Sequence, residues 1–108
     1  MGYTNYWKQY QNVPDKAWKS IKKEYEEYIK PVAGNLIEDR STDDEIIFDG
    51  GCETFVLSKI AKIKPDYKGQ DPSFNFCKTR AAKYDLAVWY LLTFVNKVCP
   101  DIEISRDR

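Results

Sequence analysis

The chain has 108 residues, enough for one hydrophobic core but too few for two. Hydrophobic residues make up 43% of it and charged residues 31%, a balance that is typical of a globular protein and not of a disordered tail. Seventeen basic and seventeen acidic residues cancel, which argues against general nucleic-acid binding. These numbers predict a single domain over residues 1–108.

Membrane spans and metal centres are disfavoured by the same sequence. No apolar run approaches the roughly 20 residues that cross a bilayer, and the N-terminus lacks the pattern of a secretory signal. The chain has no histidine, the commonest metal ligand and general base. Its three cysteines, Cys52, Cys77 and Cys99, have no paired spacing such as Cys-x-x-Cys. We therefore expect a cytoplasmic protein with free thiols, no metal and no cofactor.

The first predicted element is a strand at residues 3–10, because this segment is dense in aromatic residues. Strand alternation sends Tyr3 and Trp7 to one face and Tyr6 and Tyr10 to the other. Aromatic residues on both faces indicate a strand that is covered on one side and functional or packed on the other.

A helix is predicted next, with Pro14 in its first turn. Its apolar residues recur at three- and four-residue steps, which is typical of one buried helix face. These residues are Trp18, Ile21, Tyr25, Tyr28, Ile29 and Val32. Pro31 and Gly34 are expected to end this helix.

The rest of the chain predicts an alternation of strands and a second helix. In chain order, the expected elements are an acidic loop at residues 35–45, a hairpin of strands 45–48 and 52–57 around Asp49-Gly50-Gly51, an exposed basic loop at 59–70, a strand at 74–77, a helix from 79 to about 98, and a short strand at 102–105. The order β-α-β-β-β-α-β predicts an α+β domain, with one antiparallel sheet of four to five strands and two helices packed mainly on one face. The second helix is apolar nearly all round at residues 86–95, which favours a central position or cover by a partner chain.

A cationic segment marks the predicted start of the second helix. Lys78, Thr79, Arg80 and Lys83 lie where free backbone N–H groups and the helix dipole already favour an anion. Two or three cations and a hydroxyl at that point indicate a phosphate or carboxylate site. The alternative is that Thr79 only caps the helix and that the cations are ordinary surface charges.

Two further features border this predicted site. Glu53 shares a strand face with Phe55 and Leu57, so it either forms a buried ion pair or hydrogen-bonds a ligand at the rim. The aromatic residues of the first strand offer flat surfaces for stacking a base, although strand aromatics are also common in a core.

Catalysis has little support in the sequence. Cys77 at a cationic helix start is a candidate for a nucleophile with a lowered pKa, but the familiar Cys–His pair needs a histidine. No phosphate-binding loop of the Gly-x-x-x-x-Gly-Lys type is present. We therefore expect a binding protein and not an enzyme.

Four short motifs resemble a small family of phage and bacterial proteins, and the likeness spans nearly the whole chain. They are residues 2–7, Glu53-Thr54-Phe55, Phe76-Cys77-Lys78-Thr79 and Lys83-Tyr84-Asp85. Asn5 stands where the family usually has histidine, and no proline follows Lys83. By analogy with small phage proteins that blunt host defence, the resemblance implies a protein of the host cytoplasm that sequesters a nucleotide-derived signal.

The leading hypothesis is a non-enzymatic protein that binds a small anionic ligand of nucleotide type. In this hypothesis the anion is held by Lys78, Thr79, Arg80 and Lys83, the base stacks on Tyr3 and Trp7, and polar edges are read by Asn5, Glu53 and Asp85. The alternative is a protein–protein interaction module that inhibits a host enzyme. Its recognition surfaces would be the loops around Asp43 and Lys62, and the second helix would form a homo-oligomer.

Overall fold

The computed structural model describes residues 3–61, 64–66, 69–71, 73–80 and 82–107, and these form an α+β domain. The strands are β1 (Thr4–Gln9), β2 (Glu38–Asp39), β3 (Glu45–Asp49), β4 (Phe55–Ser58), β5 (Lys64–Asp66), β6 (Gly69–Asp71), β7 (Ser73–Lys78) and β8 (Glu103–Asp107). The helices are α1 (Asp15–Glu24), which continues through a π-helical turn (Tyr25–Ile29) into α2 (Lys30–Ala33), and α3 (Asp85–Val98). No helix in the described part of the chain has both the length and the apolarity to cross a bilayer.

The strands form two three-stranded antiparallel sheets and not the single larger sheet that we predicted. One sheet has the order β7-β1-β8, the other β2-β3-β4, and β5 pairs only with β6. The two larger sheets approach at Lys78, whose backbone carbonyl accepts a hydrogen bond from the Glu53 backbone N–H at 3.1 Å. The Lys78 N–H donates to the Glu53 carboxylate at 2.7 Å and not to a backbone carbonyl, so the ladder does not continue.

The hairpin of β3 and β4 has a longer connection than its glycines predict. Phe48 lies opposite Phe55, so residues 49–54 form the loop. Glu53 therefore lies before β4 and does not alternate with Phe55 and Leu57 as expected.

The first helix has a π-helical turn that was not predicted, and it continues past Pro31. Proline has no N–H, and its ring clashes with the carbonyl four residues earlier, which for Pro31 is Glu27. The π-helical turn contains Glu27 and lies directly before α2, so the chain accommodates Pro31 without ending the helix there. Gly34, with φ +53°, ends α2 as expected, and a 3₁₀ turn follows at Gly34–Leu36.

The second helix begins six residues later than predicted. Arg80 has φ +53°, a left-handed conformation that no α-helix can contain. Turns lead from there to Asp85, with the Ala82 N–H donating to the Thr79 carbonyl at 2.9 Å and the Asp85 N–H donating to the Ala82 carbonyl at 2.9 Å. Thr79 is therefore not the helix cap. The predicted basic loop contains the strands β5 and β6, and its residues 62–63 and 67–68 lie outside the described part.

The core lies between the sheets and the helices. Its aromatic centre runs from Trp7 to Phe55 (ring centroids 5.0 Å apart), to Phe48 (4.9 Å) and to Tyr25 (5.6 Å). Helix α3 contributes a fully buried apolar face, which consists of Val88, Leu91, Leu92 and Val95. The central position that we predicted for the apolar helix is thus confirmed for this face.

Candidate functional site

The nine predicted site residues do not line one pocket. Three of them, Asn5, Thr79 and Asp85, meet in a buried polar cluster. The others are divided between the core, a loop and the surface. They are Tyr3, Trp7, Glu53, Lys78, Arg80 and Lys83.

The buried polar cluster is centred on the Asp85 carboxylate at the first residue of α3. Asn5 Nδ2 donates to Asp85 Oδ1 at 2.9 Å, and Thr79 Oγ1 donates to the same oxygen at 2.6 Å. Arg106 forms an ion pair with Asp85 Oδ2 and stacks at 4.6 Å from the ring centroid of Trp89. Asn5 lies opposite Arg106 in the β1–β8 register, which places both side chains under the start of α3.

This arrangement supplies an anion to the helix N-terminus from within the protein. Burial by itself raises the pKa of Asp85, but the hydrogen bonds from Thr79 and Asn5 and the charge of Arg106 together hold that pKa below its ordinary value. Asp85 is therefore a carboxylate at neutral pH. The predicted anion site at the start of the second helix is thus occupied by a side chain of the chain itself.

The three predicted cations point away from this cluster. Lys78, Arg80 and Lys83 are all exposed. Lys78 lies on the outer face of the first sheet, whereas Lys83 lies at a groove between the helices. Thr79 is fully buried, and its N–H donates to the Tyr3 carbonyl at 2.8 Å, which ties β1 to the turn before α3.

Trp7 is not available for stacking a ligand. Its side chain is 2% exposed and packs against Phe55 in the core. Tyr3, half-buried, contributes its backbone carbonyl to Thr79. The packing of Trp7 follows from strand alternation, because Asn5, Trp7 and Gln9 all face the helices.

Glu53 joins the two sheets. Besides its two hydrogen bonds with the Lys78 backbone, its carbonyl accepts the Tyr84 hydroxyl at 2.7 Å. These contacts are hydrogen bonds and not the ion pair that was one predicted role, whereas the other role, a contact to a ligand, stays a prediction. Glu53 instead positions β7 and the turn before α3.

Cys77 does not have the environment of a nucleophile. Its side chain is fully buried, and burial raises the pKa of the thiol to about 12, the opposite of the lowered pKa that a reactive thiolate needs. No group of three or more Cys, Asp or Glu residues in the described ranges is arranged to hold a metal ion.

Alkylation tests whether Cys77 is buried and unreactive. In the native protein at mildly alkaline pH, we expect iodoacetamide to modify the half-buried Cys52 well before Cys77, because Cys77 is both buried and protonated. Mass spectrometry of the digested protein measures the labelling of each thiol, and urea-unfolded protein, in which all three react, is the control. Equal rates for Cys52 and Cys77 in the native protein would contradict the assignment.

An exposed aromatic surface lies on the outer side of the first sheet. Phe74 and Phe76 are 54% and 50% exposed, and Tyr6 lies opposite Phe76 on β1. The ring centroids of Tyr6 and Phe74 are 5.8 Å apart, and those of Phe74 and Phe76 are 6.3 Å apart. Lys8 lies opposite Phe74, and Lys78 follows Phe76 on the same face. We call these five residues the aromatic face.

The sequence contains the signal for this face, although the predicted site used Tyr3 and Trp7 instead. Alternation already separated Tyr6 from Trp7, and the same rule applied to residues 74–78 places Phe74, Phe76 and Lys78 together. Of the two aromatic faces of β1, the one with Trp7 is buried, so the exposed rings lie on the side of Tyr6.

A second surface feature is an apolar groove of about 440 Å³ between the two helices, which we call the helix groove. Its lining includes Ala87 of α3, together with Tyr28 and Ile29 from the π-helical turn. Exposed apolar side chains stand along its rim. They are Tyr28, Val32, Leu36, Leu86 and Tyr90.

Comparisons with known proteins establish no relationship. No protein-family model matches the chain, and neither a curated protein nor a solved structure is significantly similar to it. The likeness to a small phage and bacterial family therefore stays a prediction.

Proposed function

We propose that this chain is a non-enzymatic binding protein that holds a small anionic ligand of nucleotide type on the aromatic face. The observation that carries the proposal is the contiguous set of Tyr6, Phe74 and Phe76 rings, with a lysine at each end. Contiguous exposed apolar patches mark interaction sites, whereas singly exposed apolar side chains do not. Flat rings on a rigid sheet are suited to stacking a base.

The spacing along β7 suits a base that carries a phosphate. Residues two apart on a strand lie on the same face, about 7 Å from each other. Phe76 and Lys78 are two such residues, so their side chains start about 7 Å apart. A base stacked on Phe76 would place its phosphate toward the Lys78 ammonium. Stacking on one aromatic side chain contributes about 1–3 kcal/mol, and an exposed lysine adds a weaker, salt-dependent attraction.

Acidic residues on the neighbouring strand favour a small ligand over a long polyanion. The Glu103 and Asp107 carboxylates border the face on β8, where they accept the hydroxyl groups of Tyr10 at 2.7 Å and of Tyr6 at 2.8 Å. A nucleic-acid strand that crossed the sheet would meet this negative edge. The arrangement agrees with the zero net charge of the chain.

Sequestration of a nucleotide-derived signal in a host cytoplasm is the biological role that we propose for this binding. The family likeness supports this role, which needs stoichiometric binding without turnover. The ligand would be held and released unchanged.

Binding is tested by thermal shift and calorimetry with a panel of cyclic and linear nucleotides and ADP-ribose. A ligand that binds only the folded state raises the melting temperature. For a nucleotide that does so, Phe76→Ala is expected to weaken binding about tenfold to a hundredfold, because it removes a stacking ring from an exposed position.

Matched variants separate the aromatic face from general effects. Lys78→Glu is expected to weaken binding and to reduce its salt dependence, whereas Lys16→Glu, an exposed change on α1, should leave both unchanged. An affinity that is unchanged in Phe76→Ala and Lys78→Glu would overturn this site.

A second candidate function is the protein–protein interaction module, which the helix groove favours. Of the surfaces predicted for it, the loop around Asp43 is exposed, whereas Lys62 lies outside the described residues. If no member of the nucleotide panel changes the melting temperature, this candidate takes precedence over ligand binding.

A further inference from the structure

We propose that the helix groove is a self-association surface, covered by the same groove of a second copy of this chain in an antiparallel two-fold dimer. This inference is independent of the aromatic face, which lies on the outer side of the β7-β1-β8 sheet. It rests on the exposed apolar rim and on the placement of two charges.

The apolar rim is too exposed for a surface that stays in water. Val32 is 87% exposed and Leu86 is 72% exposed, and five of the ten large hydrophobic side chains that are exposed in the described residues stand on this groove. A cluster of exposed apolar side chains marks an interaction site more often than single exposed apolar residues do.

The two ends of the groove carry opposite charges. Lys83 lines one end, just before α3 begins. At the other end the Tyr90 hydroxyl donates to the Glu24 carboxylate at 2.7 Å. Lys83 precedes α3 and Tyr90 lies in the second turn of α3, so Lys83 and Glu24 of one copy lie toward opposite ends of the groove.

In a two-fold dimer, the oppositely charged ends of the two grooves face each other. An axis that lies in the interface and crosses the groove at right angles reverses one groove against the other. Lys83 of each copy then meets the Glu24 end of its partner. Each protruding aliphatic side chain meets an aromatic one of the other copy, with Leu86 on Tyr90 and Val32 on Tyr28. Two small residues in the lining, Ala33 and Ala87, leave room for these side chains.

The oligomeric state over a range of protein concentrations, measured by sedimentation equilibrium, tests the proposal. Wild-type protein is expected to dimerise, and Leu86→Asp is expected to weaken dimerisation by well over about tenfold, because it buries an unpaired charge. Ile60→Asp, a change at another half-exposed aliphatic residue away from the groove, is the matched control and should leave the dimer intact. Circular dichroism checks that each variant is folded.

A charge exchange identifies the occupant as a second copy. Lys83→Glu and Glu24→Lys alone are each expected to weaken the dimer by about tenfold, since symmetry doubles every contact. The double variant should recover most of the wild-type affinity, because each exchanged charge again meets an opposite charge at the groove end of its partner. A wild-type chain that stays monomeric at all concentrations, or a double variant no stronger than the singles, would overturn the proposal.

Discussion

Asp85→Asn is expected to lower the free energy of unfolding by about 3–5 kcal/mol, as is common when one partner of a buried ion pair is removed. The variant leaves the Arg106 guanidinium, whose side chain is 13% exposed, without its counter-charge. It also replaces an oxygen that accepts from both Asn5 and Thr79 with a group of weaker accepting power. Urea unfolding followed by circular dichroism measures the difference.

The loss of stability in Asp85→Asn should depend on pH in a defined direction. The pKa of Asp85 is lowered in the folded state, so its stabilising contribution is complete above the unfolded pKa of about 3.9 and is lost as the pH falls through the lower folded value. The stability difference between wild type and Asp85→Asn is therefore largest near neutral pH and shrinks in acid. Asp43→Asn, a change in an exposed loop, is the control with little effect at any pH. A difference that stays constant down to strongly acidic pH would contradict the charged role of Asp85.

Gly50→Ala is expected to destabilise the fold by about 3 kcal/mol, as in severe overpacking. A Cβ at Gly50 would lie 2.0 Å from Cγ of Tyr84, which is far inside any real contact. The ring cannot move aside easily, because Tyr84 is 1% exposed and its hydroxyl donates to the Glu53 carbonyl at 2.7 Å.

Gly51→Ala is a comparison variant that introduces backbone strain without a steric clash. A Cβ at Gly51 meets nothing within 4 Å, but its φ of +99° is strained for alanine, at a cost of about 1–2 kcal/mol. In thermal unfolding, the melting temperature of Gly50→Ala should be clearly lower than that of Gly51→Ala. The reverse order would mean that the Tyr84 ring does not pack on Gly50.

The predictions from sequence succeeded where one local rule decides the outcome. The first strand follows from its aromatic density, and the helix beginning at Asp15 follows from Pro14 and the spacing of its apolar residues. The late start of α3 was missed because Thr79 has the composition of a cap, whereas the left-handed φ of Arg80 is a tertiary consequence that no local pattern encodes.

The candidate site was harder to predict because it depends on which side of β1 the helices cover. Asn5, Thr79 and Asp85 were predicted to act together, and the structure does bring them together, but their hydrogen bonds are to one another. Arg106, which completes that cluster, was missed, although alternation after Ile102 and Ile104 places its side chain on the same face. Residues 85 and 106 are far apart in the sequence, and local residue spacing does not predict that their charges pair.

Amide chemical shifts test most directly the proposal that the outer side of the β7-β1-β8 sheet binds a nucleotide-type ligand. In a titration with a nucleotide that stabilises the protein, we expect the amide shifts of residues 6, 8, 74, 76 and 78 to move in proportion to occupancy. Shifts confined to the helix groove or to the surroundings of Asp85, with those five amides unmoved, would contradict it.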